Sequence, residues 1–255
     1  MDDNMVLTRV ILFINHLTMF MLPALVWGYI HYKRNVFKGL DLKYNFKWKY
    51  VLMGILFLLV TYPIVAKSYE INKLWDLPDW MSNAEAQTAE LLKKLLTMNS
   101  IGSLILNLIV IAIIPGIGEE LIFRGIIQKE LIRYFKSPYV AIILASVIFS
   151  AFHFQFEGFL PRMFLGLILG LLYFWIGSLW VPIIVHAFNN GMQVVMTYFN
   201  PAMAIEDLES TISVEWYYLI ASVILSLGLG YWFVQQKSIK TDEDENAASI
   251  SENLI

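Results

Sequence analysis

The sequence predicts an all-α protein, a polytopic bundle of seven to eight transmembrane helices. Of its 255 residues, 58% are hydrophobic and only 15% charged, against about 45–50% and roughly 25% in a soluble domain. Mean hydropathy is +0.62. The apolar residues also gather in runs close to the ~20 residues that carry a helix across a hydrocarbon core.

The runs follow in order. Val6–Tyr32 lacks a basic leader and a small-residue cleavage site and is too long for a signal core, so it reads as an anchor. Val51–Ala66, Ser100–Ile114, Val140–Phe154, Met163–Ile176, Leu179–Tyr198 and Val214–Val234 follow as further spans, the shorter ones asking for tilt or local thinning. Glu119–Phe135 is amphipathic: it lies at the interface or forms an eighth helix inside the bundle. Between the first and second spans, Lys33, Arg34, Lys38, Lys43, Lys47 and Lys49 outnumber Asp41, which assigns that loop to the cytoplasm. The 200–213 loop, with Glu206, Asp207 and Glu209, suits the outside, and Lys237 and Lys240 suit the inside. Seven spans satisfy these charges.

Three units result. Residues 1–99 hold N-terminal membrane helices, an extramembrane loop and a short surface helix at Asn83–Asn99, where Glu90 and Lys94 are four apart. Residues 100–236 form the main membrane domain, and 237–255, with "TDEDEN", are expected to be a disordered acidic tail. A net charge of −3 gives no sign of a nucleic-acid partner, and the absence of cysteine removes disulfides, thiolate metal sites and cysteine nucleophiles.

In a membrane sequence the polar exceptions are the informative residues, since a charge at mid-bilayer costs about 2.5–3.5 kcal/mol. In "GIGEELIFRG", Glu120 and Arg124 are i and i+4 in the order that favours an ion pair. Glu119 is rotated from Glu120 by about 100°, leaving it free to face something else. Pro115, Gly116 and Gly118 are expected to end one helix and start another there. "FSAFHF" sets His153 at the end of an apolar span, and "VPIIVHAFNN" sets His186 and Asn190 on one helical face. His16 and His31 belong to the first span and its edge and have no matching polar neighbours at helical spacing. Each group alone suits a cap or an interhelical hydrogen bond. Together, a carboxylate, two imidazoles and an amide on three helices are the equipment of a hydrolase.

"EELIFR", "FSAFH" and "HAFNN" read in order as EExxxR, FxxxH and HxxxN. This ordered triple resembles the CAAX protease and bacteriocin-processing family (CPBP intramembrane proteases, or Abi proteins), which includes the type II CAAX prenyl endopeptidases. The resemblance covers about Pro115 to Asn190. It implies that Glu119 deprotonates a water and His153 helps to hold it. It also implies that His186 and Asn190 stabilise the oxyanion, with Glu120 and Arg124 in support. The expected activity is cleavage of a membrane-associated peptide or protein, CAAX-like and prenylated by analogy, in a bacterial inner membrane.

Other hydrolase chemistries lack their residues. HExxH and GxSxG are absent, and every aspartate lies outside the spans. Glu119, His153 and His186 would be the ligands if zinc were bound. Asn190 beside His186 suits an oxyanion site better, so no cofactor is expected and zinc is the alternative. The rival functions are a non-catalytic self-immunity factor or scaffold and, third, a proton-coupled transporter. A catalytic Glu119 requires His153 at the same depth, which favours eight spans with 119–135 inside the bundle.

Overall fold

The computed structural model describes residues 3–42, 46–204 and 214–252. Among the described residues, eight long helices follow one another: α1 at residues 3–32, α2 (Trp48–Asn72), α3 (Asp79–Leu96), α4 (Ile101–Phe135), α5 (Pro138–Ala151), α6 (Phe159–Ile176), α7 (Trp180–Phe199) and α8 (Trp216–Glu252). The fold is all-α, as the composition predicts, and belongs to a polytopic helical membrane protein. Among the described residues, five stretches are long and apolar enough to cross a membrane: Met5–Gly39, Trp48–Asn72, Ile101–Phe135, Phe159–Ile176 and Trp216–Gln236. α5 is equally apolar but has only 14 residues. The backbone of α8 continues into the acidic stretch expected to be disordered. Lys43 and the acidic loop residues Glu206, Asp207 and Glu209 lie outside the described residues.

α4 corrects the sequence reading. Pro115, Gly116 and Gly118 do not break it; one helix of 35 residues runs from Ile101 to Phe135. Proline lacks the N–H that would bond the carbonyl four residues back and crowds that carbonyl. Here Leu108–Ile113 is wound as a π-turn just before Pro115, and Asn190 Nδ2 on α7 donates to that carbonyl, Ile111 O, at 3.2 Å. The glycines serve close approach. A Cβ on Gly116 would lie 3.1 Å from Ala187 Cβ, and one on Gly118 would lie 3.1 Å from Phe20 Cβ. Neighbouring helices thus fill what the local rules read as a break. Glu119 lies 18 residues into the helix, about 27 Å along it, and so near its middle.

α5 and α6 form the tightest pair. A Cβ on Gly166 would lie 2.9 Å from Ser146 Cβ, and one on Gly170 would lie 3.0 Å from Ile142 Cγ2. Small residues four apart let membrane helices close on one another, where burial from water gives no drive. Arg124 Nη2 and Gln128 Nε2, one turn apart on α4, donate to Gly166 O at 3.0 Å and Gly170 O at 3.1 Å, one turn apart on α6.

Apolar packing completes the bundle. Phe57 of α2, Leu172 and Trp175 of α6, Val185 of α7 and Phe233 of α8 share one buried cluster. Ala24, Leu40, Leu121, Ile126, Leu179 and Ile183 share another. At the end of the bundle where α4 closes, Asp41 accepts from Tyr173 Oη at 2.6 Å and pairs with Lys129 Nζ at 2.7 Å, while its carbonyl takes Leu179 N–H. α6 stops there at Gly177, whose φ of 66° is the left-handed conformation that glycine adopts without steric cost.

α3 is the surface helix expected from the sequence, beginning four residues earlier, and Lys94 pairs with Glu90 at 2.6 Å. Its C-terminal end is anchored by Arg9 and Asn107, both buried. Arg9 Nε donates to Asn107 Oδ1 at 2.7 Å, and Asn107 Nδ2 donates to Leu95 O at 2.5 Å.

Candidate active site

The two adjacent glutamates of α4 are 6% and 0% exposed, in that order, and they face different groups. Glu120 Oε1 accepts from Arg124 Nη1 at 2.7 Å, the ion pair that the i,i+4 spacing predicts. The same oxygen accepts from His186 Nδ1 at 2.9 Å. The Arg124 guanidinium lies over the Phe149 ring, 4.8 Å from its centroid. Glu120 therefore joins α4 to α7, and Arg124 joins α4 to α5 and α6. A planar guanidinium and an imidazole thus pair the buried charge through Oε1, while Glu120 Oε2 is buried without a hydrogen-bond partner among the described residues.

Glu119 faces three imidazoles. Its Oε2 lies 3.9 Å from His153 Nε2 and 3.9 Å from His186 Nε2. Its Oε1 lies 3.4 Å from His16 Nε2. Oε2 is buried without a hydrogen-bond partner among the described residues. All three rings present Nε2 because Nδ1 is engaged elsewhere. His153 Nδ1 donates to Phe149 O at 2.8 Å and His186 Nδ1 to Glu120. His16 Nδ1 faces Leu12 O at 3.3 Å. A second partner of this kind fixes which nitrogen a histidine offers.

His153 sits in the turn after α5 and is the most open of these rings, with one side packed by Phe149, edge-on at 4.9 Å. Its loop is fastened from two directions. Asn72 at the end of α2 donates to Phe156 O at 2.9 Å and accepts from Leu160 N at 2.7 Å. Glu85 of α3 accepts from Glu157 N at 3.2 Å. Burial holds the Glu85 carboxyl above its ordinary range, against the opposing pull of that N–H and of Arg162. Phe20, Phe123, Phe149 and Phe152 form a connected aromatic cluster that touches His16 and His153.

The structure thus brings together Glu119, His153 and His186, with Glu120 and Arg124 behind them. Asn190 is one turn beyond His186. Its Nδ2 is given to Ile111 O, and its Oδ1 accepts from Asn189 Nδ2 at 3.1 Å. Tyr62 Oη donates to Asn189 Oδ1 at 3.0 Å.

The sequence reading missed His16. It lies 103 positions from Glu119, and no local spacing links them. The available signal was energetic: a polar side chain within an apolar span calls for a partner in the bundle. The links from Glu120 to His186 and from Gln128 to Gly170 were also unread.

The Glu119, His153 and His186 atoms stand wider apart than the ligands of a zinc shell. With bonds of about 2.1 Å, a tetrahedral shell sets its ligand atoms about 3.4 Å apart, closer than the 3.9 Å between Glu119 Oε2 and each facing imidazole nitrogen. Among the described residues, no group of three or more His, Cys, Asp or Glu side chains is disposed to hold a metal ion.

Comparison with known proteins agrees with the motifs. Residues 101–192 match the family model described as type II CAAX prenyl endopeptidase Rce1-like. The chain is similar to the membrane-embedded CAAX protease MroQ of Staphylococcus aureus, 39% identical over 97 residues, or 36% of this chain and 39% of the relative. It is also similar to the uncharacterized protein YpbD of Bacillus subtilis, 32% identical over 98 residues, or 37% of this chain and 45% of the relative. The matched region therefore spans less than half the length of these relatives. No solved structure matches. Glu119, Glu120, Arg124, His153, His186 and Asn190 all lie within residues 101–192, the segment that matches the Rce1-like type II CAAX prenyl endopeptidase family model.

Proposed function

We propose that this protein is an intramembrane endopeptidase that cleaves a membrane-associated peptide by attack of a glutamate-activated water. The observation that carries the reading is Glu119 Oε2: buried, without a hydrogen-bond partner among the described residues, and faced by two imidazole nitrogens at 3.9 Å. A water seated among these three atoms gives a proton to Glu119, and its oxygen attacks the scissile carbonyl carbon. The tetrahedral oxyanion forms beside the second Nδ2 hydrogen of Asn190 and His186 Nε2–H, the ring acting as an imidazolium whose Nδ1–H stays on Glu120. Glu119 then passes the proton to the leaving amine as the C–N bond breaks, which restores the carboxylate. Glu120 and Arg124 keep His186 in register, so that the donors are in place before charge develops.

The membrane arrangement follows. α1, α2 and α4 to α8 cross in seven alternating passes, with α3 at the surface. The ends carrying Lys33, Arg34, Lys38, Lys47, Arg133 and Lys136 are then cytoplasmic. Because α4 is a single helix, Glu119 lies mid-membrane in this count, which satisfies both the loop charges and the depth of His153.

The description of the matching family model as a CAAX prenyl endopeptidase supports a prenylated CAAX-like substrate. The test uses full-length protein in liposomes with two peptides, one bearing S-farnesyl cysteine followed by three residues and one identical but unfarnesylated. Mass spectrometry reads the products. The wild type should release the three-residue fragment from the farnesylated peptide, and Glu119→Ala and His186→Ala should not. Wild-type protein that cuts neither peptide would instead support a non-catalytic immunity factor or scaffold.

A further inference from the structure

We propose that His16 is a positioning residue of this site: from outside the family segment, it holds one oxygen of Glu119 so that the other points at His153 and His186. The inference rests on the reading of Glu119 as the water-activating base.

Three observations converge on it. The first is contact, since His16 Nε2 lies 3.4 Å from Glu119 Oε1 while Oε2 has no hydrogen-bond partner among the described residues. The last torsion of a glutamate is broad and nearly two-fold, so a buried carboxylate with two equivalent oxygens has no intrinsic reason to present either. A hydrogen bond from His16 Nε2–H to Oε1, made by an imidazolium whose Nδ1–H faces Leu12 O, fixes the plane and thereby aims Oε2.

The second is the fixing of His16 itself. Its Nδ1 faces Leu12 O at 3.3 Å, and its ring stacks on Phe20 with centroids 5.4 Å apart. The π-turn Leu17–Met21 begins at the next residue. Such turns rotate the side chains around them out of the α-helical phase and recur at functional sites.

The third is the approach of α1 to α4. Gly118, the residue before Glu119, has no side chain where a Cβ would lie 3.1 Å from Phe20 Cβ and 3.3 Å from Met21 Cγ. Arg9, two turns before His16, is tied to Asn107 and Leu95 O and sets the register of α1 along α4. The first helix is thus held at two levels, and between them it delivers a single polar side chain to the carboxylate.

The test compares His16→Phe, His16→Gln and the control His31→Phe in liposomes with the two peptides above. Thermal unfolding in detergent is followed in parallel. Phenylalanine keeps the ring and its stacking but has no donor. Glutamine loses the ring but places an amide N–H where Nε2 was. We expect His16→Phe to lower kcat by about 10- to 100-fold with KM nearly unchanged, as for a catalytic group misplaced by a fraction of an ångström. His16→Gln should recover most of that loss, and His31→Phe should match the wild type. A role in packing predicts the reverse order, with Phe active and Gln impaired. Should His16→Phe fail to fold, His16→Asn replaces it, since its amide reaches Leu12 O but not Glu119. Wild-type kcat in His16→Phe, or equal losses in Phe and Gln, would overturn the proposal while leaving the base in place. Full activity in Glu119→Gln would overturn the underlying reading instead.

Discussion

Arg124→Met tests the ionic core behind the site. Arg124 is 1% exposed and Glu120 0%, so removal of the cation leaves a carboxylate in the bundle with His186 Nδ1 as its remaining donor. Removing one partner of a buried pair costs about 3–5 kcal/mol, because the other charge is left uncompensated. Gly166 O also loses its donor, a further loss of about 1–3 kcal/mol if no other group replaces it. Methionine returns part of the packing volume, so the expected total is about 3–5 kcal/mol. In the double variant Glu120→Gln/Arg124→Met no charge is stranded, and the carbonyl of the introduced amide can still accept from His186. The double variant should therefore be more stable than the sum of the two single losses predicts, with a coupling of about 2–3 kcal/mol. Equilibrium unfolding in mixed micelles, followed by circular dichroism, measures each corner of the cycle. A loss below about 1 kcal/mol in Arg124→Met, or strict additivity, would refute the claim that the pair is a buried, mutually dependent unit.

Gly166→Ala should lower stability by about 1–2 kcal/mol in the same assay, because overpacking exceeds the gain in helix propensity. Its Cβ would lie 2.9 Å from Ser146 Cβ and 3.0 Å from Ser146 Cα. Gly228→Ala in α8, with nothing within 4 Å, should be neutral or stabilising by up to about 1 kcal/mol. Glu85 supplies a pH dependence. Its folded-state pKa is raised, chiefly by burial, so its contribution to stability is fully present below the ordinary carboxylate range and is lost as pH rises through the raised value. Glu85→Gln should therefore gain thermal stability relative to the wild type as pH rises from about 4 towards neutral. A gap in melting temperature that does not change with pH would contradict this.

The spacing of "EELIFR" was enough to pair Glu120 with Arg124 and to set Glu119 apart, since both follow from the geometry of one helix turn. The convergence of His153 and His186 on Glu119 followed from ordered motifs rather than from spacing. Long-range features were not legible. Pro115 and the glycines read as a helix end because their accommodation depends on Asn190, Ala187 and Phe20, supplied by other helices. The division at residue 99 set α1 apart from the site, whereas His16 reaches into it. Arg9 and Asn107 are a similar case: buried polar groups in apolar helices whose only signal in the sequence is their cost, and whose partners appear once α1, α3 and α4 are packed.

The most direct measurement is the kcat of Glu119→Gln in liposomes on the peptide that the wild type cleaves. Glutamine keeps the size of the side chain and its capacity to accept from His16 but cannot take a proton from water. With Glu119 as the base, kcat should fall by about 10²- to 10⁴-fold while melting temperature stays close to that of the wild type. Cleavage by Glu119→Gln within about threefold of wild type, well short of that general-base contribution, would contradict the account at its centre.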